Sequence, residues 1–388
     1  MRTFGKWLGR TLLVLILLAG ALYAWKREEI TRVLAVNSLF SADKIVHNFS
    51  HMDTMFLSAP VPRGDAPVSA LIIGQPITLP DTYDAWVTER AITSAVVLKD
   101  GLLRHEAYYL STGPDDRRIS WSVAKSFLSA LLGVLLEDGT ISSVNDPVTQ
   151  YAPALLGTAY DGARIEDVLQ MESGVRFNED YLDFWSDINK MGRVLALGQS
   201  MDGFAAGLTE TNAAAGKSWQ YVSIDTHILG MVIRGATGRP ISELLSERII
   251  APLGLEQAPY YVTDGYGTAF VLGGLNLTTR DYARFGQMIA QNGLWNGVQV
   301  VPAAWIAQST RPSAKTVKGN TQYGYQWWMP SDAREGEFFA RGIYGQYIYI
   351  NQPLGVVIAI NSADKKFREA GVSLSNTAMF RAIAEAAQ

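Results

Sequence analysis

Extended segments stand at both ends of the main part of this chain, with a long, mostly helical stretch between them. Near the first end, Ala95-Val96-Val97-Leu98 is followed by Asp100-Gly101 and then by Leu102 to Leu110. Apolar runs on either side of an Asp-Gly pair spell a hairpin. Near the other end, Tyr347-Ile348-Tyr349-Ile350 and Val356 to Ile360 are joined through Pro353-Leu354-Gly355, and a helical stretch, about Ser373 to Ala387, closes the chain. From about Ser120 to Gln308 the pattern is helix and loop. An isolated hairpin is marginal in water. The two strand pairs therefore predict an α/β (α+β) architecture: one antiparallel sheet built from both chain ends, flanked by helices, with an all-helical lobe inserted.

Composition narrows the chemistry. With 48% hydrophobic and 18% charged residues over 388 positions, the chain is globular. Lys+Arg (33) nearly balances Asp+Glu (37), so no basic excess argues for a nucleic-acid partner. Zero Cys removes thiol nucleophiles, thiolate metal sites and disulfides together. The four His (His47, His51, His105, His227) do not form a His-Glu-x-x-His motif, and no metal or organic cofactor is expected. Any catalysis falls to hydroxyls, amines and carboxylates.

The N-terminus carries an address. The uncharged run Thr11 to Trp25 would make a helix of roughly 22 Å, which is signal-peptide length; extended from Trp7 to Trp25, with Arg10 snorkelling, it reaches roughly 28 Å and can span a bilayer core of about 30 Å. An uncleaved anchor over residues 7–25 is the expectation, because the small-residue site Ala19-Gly20-Ala21 would lie inside the apolar run. Arg2, Lys6, Arg10 and the α-amine precede the run, against Lys26 and Arg27 after it, which places the bulk of the protein on the outer, periplasmic side. Cleavage would make it secreted. The expected organisation is 1–25 anchor or signal segment, 26–80 connector packing on the main domain, and 81–388 catalytic domain.

The chemistry concentrates in Ser120-Trp121-Ser122-Val123-Ala124-Lys125-Ser126-Phe127-Leu128, which continues apolar to Leu136 and stops at Asp138-Gly139. Ser120 as N-cap and Gly139 as stop predict a helix of about eighteen residues. Apolar residues occupy all its faces from Val123 to Leu136, so it should be buried on all sides, with Lys125 its only formal charge before Glu137. Burial disfavours the charged form of a lysine and turns its amine into a base. Ser122 lies three residues earlier, on the same helix face. Its N–H, an unpaired donor of the first turn, could also face the oxyanion formed when its hydroxyl attacks a carbonyl. Ser-x-x-Lys also occurs at Ser41–Lys44 and Ser362–Lys365, but in polar surroundings; only the middle copy opens a long apolar helix.

From about Pro80 onward the chain resembles the β-lactamase-like serine hydrolases: class C β-lactamases, D-alanyl-D-alanine peptidases, related esterases and, most closely, 6-aminohexanoate-dimer hydrolases. The resemblance rests on motif order. Ser-x-x-Lys is followed by Gln170-Met171-Glu172-Ser173-Gly174, Trp219-Gln220-Tyr221-Val222-Ser223, Gly273-Gly274-Leu275-Asn276, and Gly342-Ile343-Tyr344-Gly345-Gln346 ahead of a strand. It implies the β-lactamase/transpeptidase fold, with Tyr221 sharing proton transfer with Lys125. The family's Tyr-x-Asn here ends in Ser223. The family's Lys-Thr-Gly is replaced by Ala340-Arg341-Gly342, which would make the Ile343 N–H the second oxyanion donor and set Arg341, Gly342 and Tyr344 beside the substrate. By the same resemblance Tyr181 or Asp187 would meet the amino end of a substrate, and Asn276 would line the pocket.

The implied activity is hydrolysis of a linear amide or ester, a small-molecule substrate, through a Ser122 acyl-enzyme. Loss of the family's lysine argues against the alternatives, β-lactamase or D-alanyl-D-alanine peptidase activity. A third possibility is a membrane-anchored ligand-binding protein of the same fold without turnover.

Overall fold

The computed structural model describes residues 2–388. Met1, whose α-amine entered the charge balance, and the side chain of Arg2 lie outside the described residues. The first element is a single helix, Arg2–Ser38, about 55 Å long. No Gly or Pro interrupts it after Trp25, so it runs past the apolar segment into residues that meet the main body. Arg32 Nε donates to the Ala196 carbonyl at 2.8 Å. Among the described residues this is the one helix long and apolar enough to cross a membrane.

An eight-stranded sheet forms the centre. Edge to edge it runs Gln322–Tyr323, Trp328–Met329, Glu337–Gly342, Gln346–Asn351, Val356–Ser362, Ile92–Lys99, Leu102–Tyr108 and Ile72–Ile73. The C-terminal strand Val356–Ser362 pairs antiparallel with Ile92–Lys99, so the sheet is built from both ends of the chain. The Asp100-Gly101 turn closes the first hairpin with φ of 51° and 79°, both in the region a tight two-residue hairpin turn requires. Alternation decides the faces. Val96, Leu98, Ile348 and Ile350 join the larger core, while Ala95, Val97, Tyr347 and Tyr349 pack against Phe380 and Ile383 of the closing helix Val372–Ala386.

On the larger-core side, helix Thr279–Ala290 lies so close to the sheet that a Cβ on Gly286 would meet Ile348 and Val357 at 2.6 and 2.7 Å. Phe285 of that helix stacks on Phe127 at 3.6 Å between ring centroids. This fixes helix Ala124–Glu137 behind the sheet. The middle segment is mainly helical, but it also holds strands Tyr260–Val262 and Leu275–Leu277. With Ser58–Pro60 and Arg118–Ile119 these form a second, four-stranded sheet. Strands of two or three residues are too short for alternation to register in the sequence.

Candidate active site

The segment from Ser120 departs from the expected single helix. Ser120 stands at the N-cap position of a short 3-10 turn, but with helical φ and ψ and no capping bond from its side chain; its hydroxyl donates to the Trp121 carbonyl at 3.0 Å. Trp121 takes the left-handed region, φ 43°, and a 3-10 turn Trp121–Val123 precedes the α-helix Ala124–Glu137. Ser122 is therefore presented from a tight turn at the head of the buried helix, a conformation that costs energy and persists only when its surroundings impose it. Those surroundings include Gly342, where a Cβ would stand 2.6 Å from the Ser120 carbonyl oxygen. The strand Glu337–Gly342 can reach this turn only with glycine at its end.

Lys125 is buried, and its amine donates to three oxygens: Leu272 O at 2.7 Å, Ser122 Oγ at 3.1 Å and Ser223 Oγ at 3.3 Å. Burial lowers its pKa to about 7, with Glu179 and Asp225 pulling the other way. Tyr221 lies with its ring centroid 5.6 Å from the same amine, and its hydroxyl faces those of Ser122 and Ser223. Burial, followed by the Glu179 charge, pushes the Tyr221 phenol well above its usual range, so it stays protonated at neutral pH. The hydroxyl, amine and phenol proposed from sequence thus converge.

Glu179 is the member of this cluster that sequence reasoning missed. Its carboxylate accepts from the Ser223 N–H at 3.0 Å, the Tyr181 hydroxyl at 2.6 Å and the Ser223 hydroxyl. It sits at the N-terminus of helix Ser223–Thr237, where the helix dipole favours an anion. The acidic loop 178–181 was the available signal, but only the fold shows which of its carboxylates turns inward. The Leu272 carbonyl was likewise invisible, although the Gly273-Gly274 pair that bends the chain behind it was not.

Two cavities meet at Ser122, and Tyr181 and Ile343 line both. One, about 330 Å³, is the more polar of the two because the charged Glu179, Arg341 and Arg368 border it, together with Tyr221, Gly342 and the apolar Trp328 and Phe367. The Arg341 guanidinium lies over Trp328, 5.6 Å from the ring centroid. The other, about 120 Å³, is lined almost wholly by apolar side chains and includes Ser223 and Tyr344 at its rim. Ile343 and Tyr344 form a turn with Tyr344 at φ 58°, and Ile343 lines both cavities.

Two residues selected from sequence lie elsewhere. Asn276 is fully buried in strand Leu275–Leu277 with its amide donating to Gly274 O at 2.8 Å, and lines neither cavity. Asp187 opens helix Asp187–Ala196, accepts from the Asn178 N–H at 2.9 Å and pairs with Lys190, closing its own loop. His227 is buried against Asp202 at 2.8 Å. Among the described residues no group of three His, Asp or Glu side chains converges to hold a metal ion.

Known proteins are similar to this chain in sequence or in fold. A D-aminopeptidase from Brucella anthropi is 30% identical over 176 residues, 42% of this chain and 32% of that protein. A 6-aminohexanoate-dimer hydrolase from Paenarthrobacter ureafaciens is 32% identical over 295 residues, 72% of this chain and 74% of that one. A Bacillus anthracis structure, provisionally described as a 6-aminohexanoate-dimer hydrolase, superposes with a TM-score of 0.76 at 23% identity, over 89% of this chain and 95% of that one. The profile of the Beta-lactamase family matches residues 87–374, the span that contains seven of the eight strands of the central sheet, the buried helix and the Ser122 cluster. The chain belongs to the Beta-lactamase family.

Proposed function

We propose that this protein is a serine hydrolase that cleaves a linear amide or ester through an acyl-enzyme on Ser122. The observation that carries the reading is the buried Lys125 amine, 3.1 Å from the Ser122 hydroxyl and with its pKa lowered to about 7. An amine that is half unprotonated at neutral pH can accept the hydroxyl proton as the oxygen attacks.

In the proposed reaction the Ser122 proton passes to the Lys125 and Tyr221 pair while Oγ bonds to the substrate carbonyl carbon. The N–H groups of Ser122 and Ile343 hold the oxyanion. Collapse breaks the bond to the leaving amine or alkoxide, which takes its proton from Tyr221, and Lys125 restores the phenol. Water, losing a proton to the same pair, then releases the acid and returns a proton to Ser122. Arg341 is available to a carboxylate on the leaving part. In this reading the N-terminal helix anchors the protein, with the catalytic unit on the outer side.

A fluorophosphonate probe tests the assignment. The full-length protein should be labelled on Ser122 and the Ser122→Ala variant should not; equal labelling of both would remove Ser122 from the mechanism. A protein that only binds ligands gives neither labelling nor turnover of p-nitrophenyl esters.

A further inference from the structure

The apolar cavity beside Ser122 has an unexpected wall: Val36, Leu39 and Phe40, the last residues of the N-terminal helix and its exit. Leu39 is buried, and Phe40 stacks on Tyr344 at 4.8 Å between centroids. Ile188, Met191 and Leu195 of helix Asp187–Ala196 also line it. Met52, Phe56, Phe270 and Leu272 are among the residues that line the rest. No charged side chain lines this space. Of its polar side chains, Asn189 is occupied by the Tyr181 and Asp183 carbonyls, Ser223 by Lys125 and Glu179, and the Tyr181 hydroxyl by Glu179, while the Trp121 indole N–H is a buried donor without a partner.

Resting on the serine hydrolase reading above, we infer that this cavity is the acyl-group site and that it takes an unbranched apolar acyl chain of about six to eight carbons. Direction follows from Tyr221. The residue that would return the proton to the leaving atom borders the polar cavity and not the apolar one, so the leaving group departs on the polar side and the acyl chain occupies the other. Size follows from volume. An apolar cavity of about 150 Å³ accommodates a benzene-sized ligand. The 120 Å³ here holds slightly less, with the carbonyl carbon and its neighbour outside it at Ser122. Chemistry follows from the lining. A terminal methyl is at home among these side chains, whereas an ω-ammonium would be buried without a carboxylate. The acyl preference therefore separates this protein from a hydrolase acting on a 6-aminohexanoyl group.

The test is a series of p-nitrophenyl esters with acetyl, hexanoyl, octanoyl, dodecanoyl and 6-aminohexanoyl groups, on the full-length protein in lipid nanodiscs. kcat/KM should rise about fourfold per added methylene up to six to eight carbons and fall beyond. The 6-aminohexanoyl ester should lie about a hundredfold below the hexanoyl ester. Gly192 borders the cavity, and a Cβ there meets nothing within 4 Å, so Gly192→Leu fills the space from an unstrained helical position. It should cut the octanoyl-to-acetyl ratio tenfold or more, with fluorophosphonate labelling reporting an intact Ser122. Should labelling be lost, the chain-length profile of the unaltered protein decides. A flat profile, or a 6-aminohexanoyl ester as good as hexanoyl, overturns the acyl site and leaves the serine hydrolase standing. Absence of both turnover and labelling with every ester would overturn the hydrolase reading, and this inference with it.

Discussion

Replacing Glu179 with Gln should move the pH profile of Ser122 reactivity toward acid. In the proposed reaction Lys125 is a base only when neutral, so the second-order rate of fluorophosphonate labelling should rise with pH through about 7 in the unaltered protein. The Glu179 carboxylate holds that value up by favouring the ammonium. Lys125 Nζ is 3.3 Å from Ser223 Oγ, which in turn donates to Glu179, so the two charges stand about 6 Å apart. At an effective dielectric of about 20 that separation corresponds to roughly 3 kcal/mol, or about 2 pH units. Glu179 is partly exposed, and solvent screening reduces the effect to about 1 pH unit. Gln keeps the shape and can still accept from the Ser223 N–H. The acid limb should therefore fall to about pH 6. An acid limb that stays near pH 7 while the plateau rate drops would mean that Glu179 only holds the loop; a limb displaced upward would refute the electrostatic reasoning itself.

Other consequences can be checked with the same protein. Lys125→Met should abolish Ser122 labelling yet raise the thermal midpoint at pH 7, since it removes a buried amine; the gain, about 2 kcal/mol, should shrink toward pH 10 as the lysine becomes neutral in the unfolded chain too. Asp225, buried and hydrogen-bonded to Tyr160 and Ser173, has its pKa raised to about 7. It adds stability at acid pH that is lost as pH rises from about 4 to 7; Asp225→Asn should remove that loss, with the difference in denaturation midpoint growing across this interval. Gly342→Ala should cost about 1–3 kcal/mol and lower the labelling rate, because the new Cβ presses on the Ser120 carbonyl behind the turn that presents Ser122. A thermal melt and labelling kinetics on one sample would show whether both change together.

The sequence alone was enough for the parts that depend on pattern. Unbroken apolar runs at Ala95–Leu98 and Tyr347–Ile350, with Asp100-Gly101 ending the first, pointed to a sheet built from both chain ends, because a strand buried on both faces reads as a continuous apolar run. An apolar helix interrupted by one lysine three residues after a serine determined where an amine and a hydroxyl would meet, because helical spacing is local. Tertiary structure decided what depends on distant backbone. It replaced the expected Ser120 cap with a left-handed Trp121 under strand Glu337–Gly342, turned Glu179 rather than Asp187 toward Ser223, and withdrew Asn276 into a sheet. It also brought Val36, Leu39 and Phe40 from the end of the N-terminal helix to the wall beside Ser122. Each of these is set by contacts between residues far apart in the chain, and no local periodicity records them.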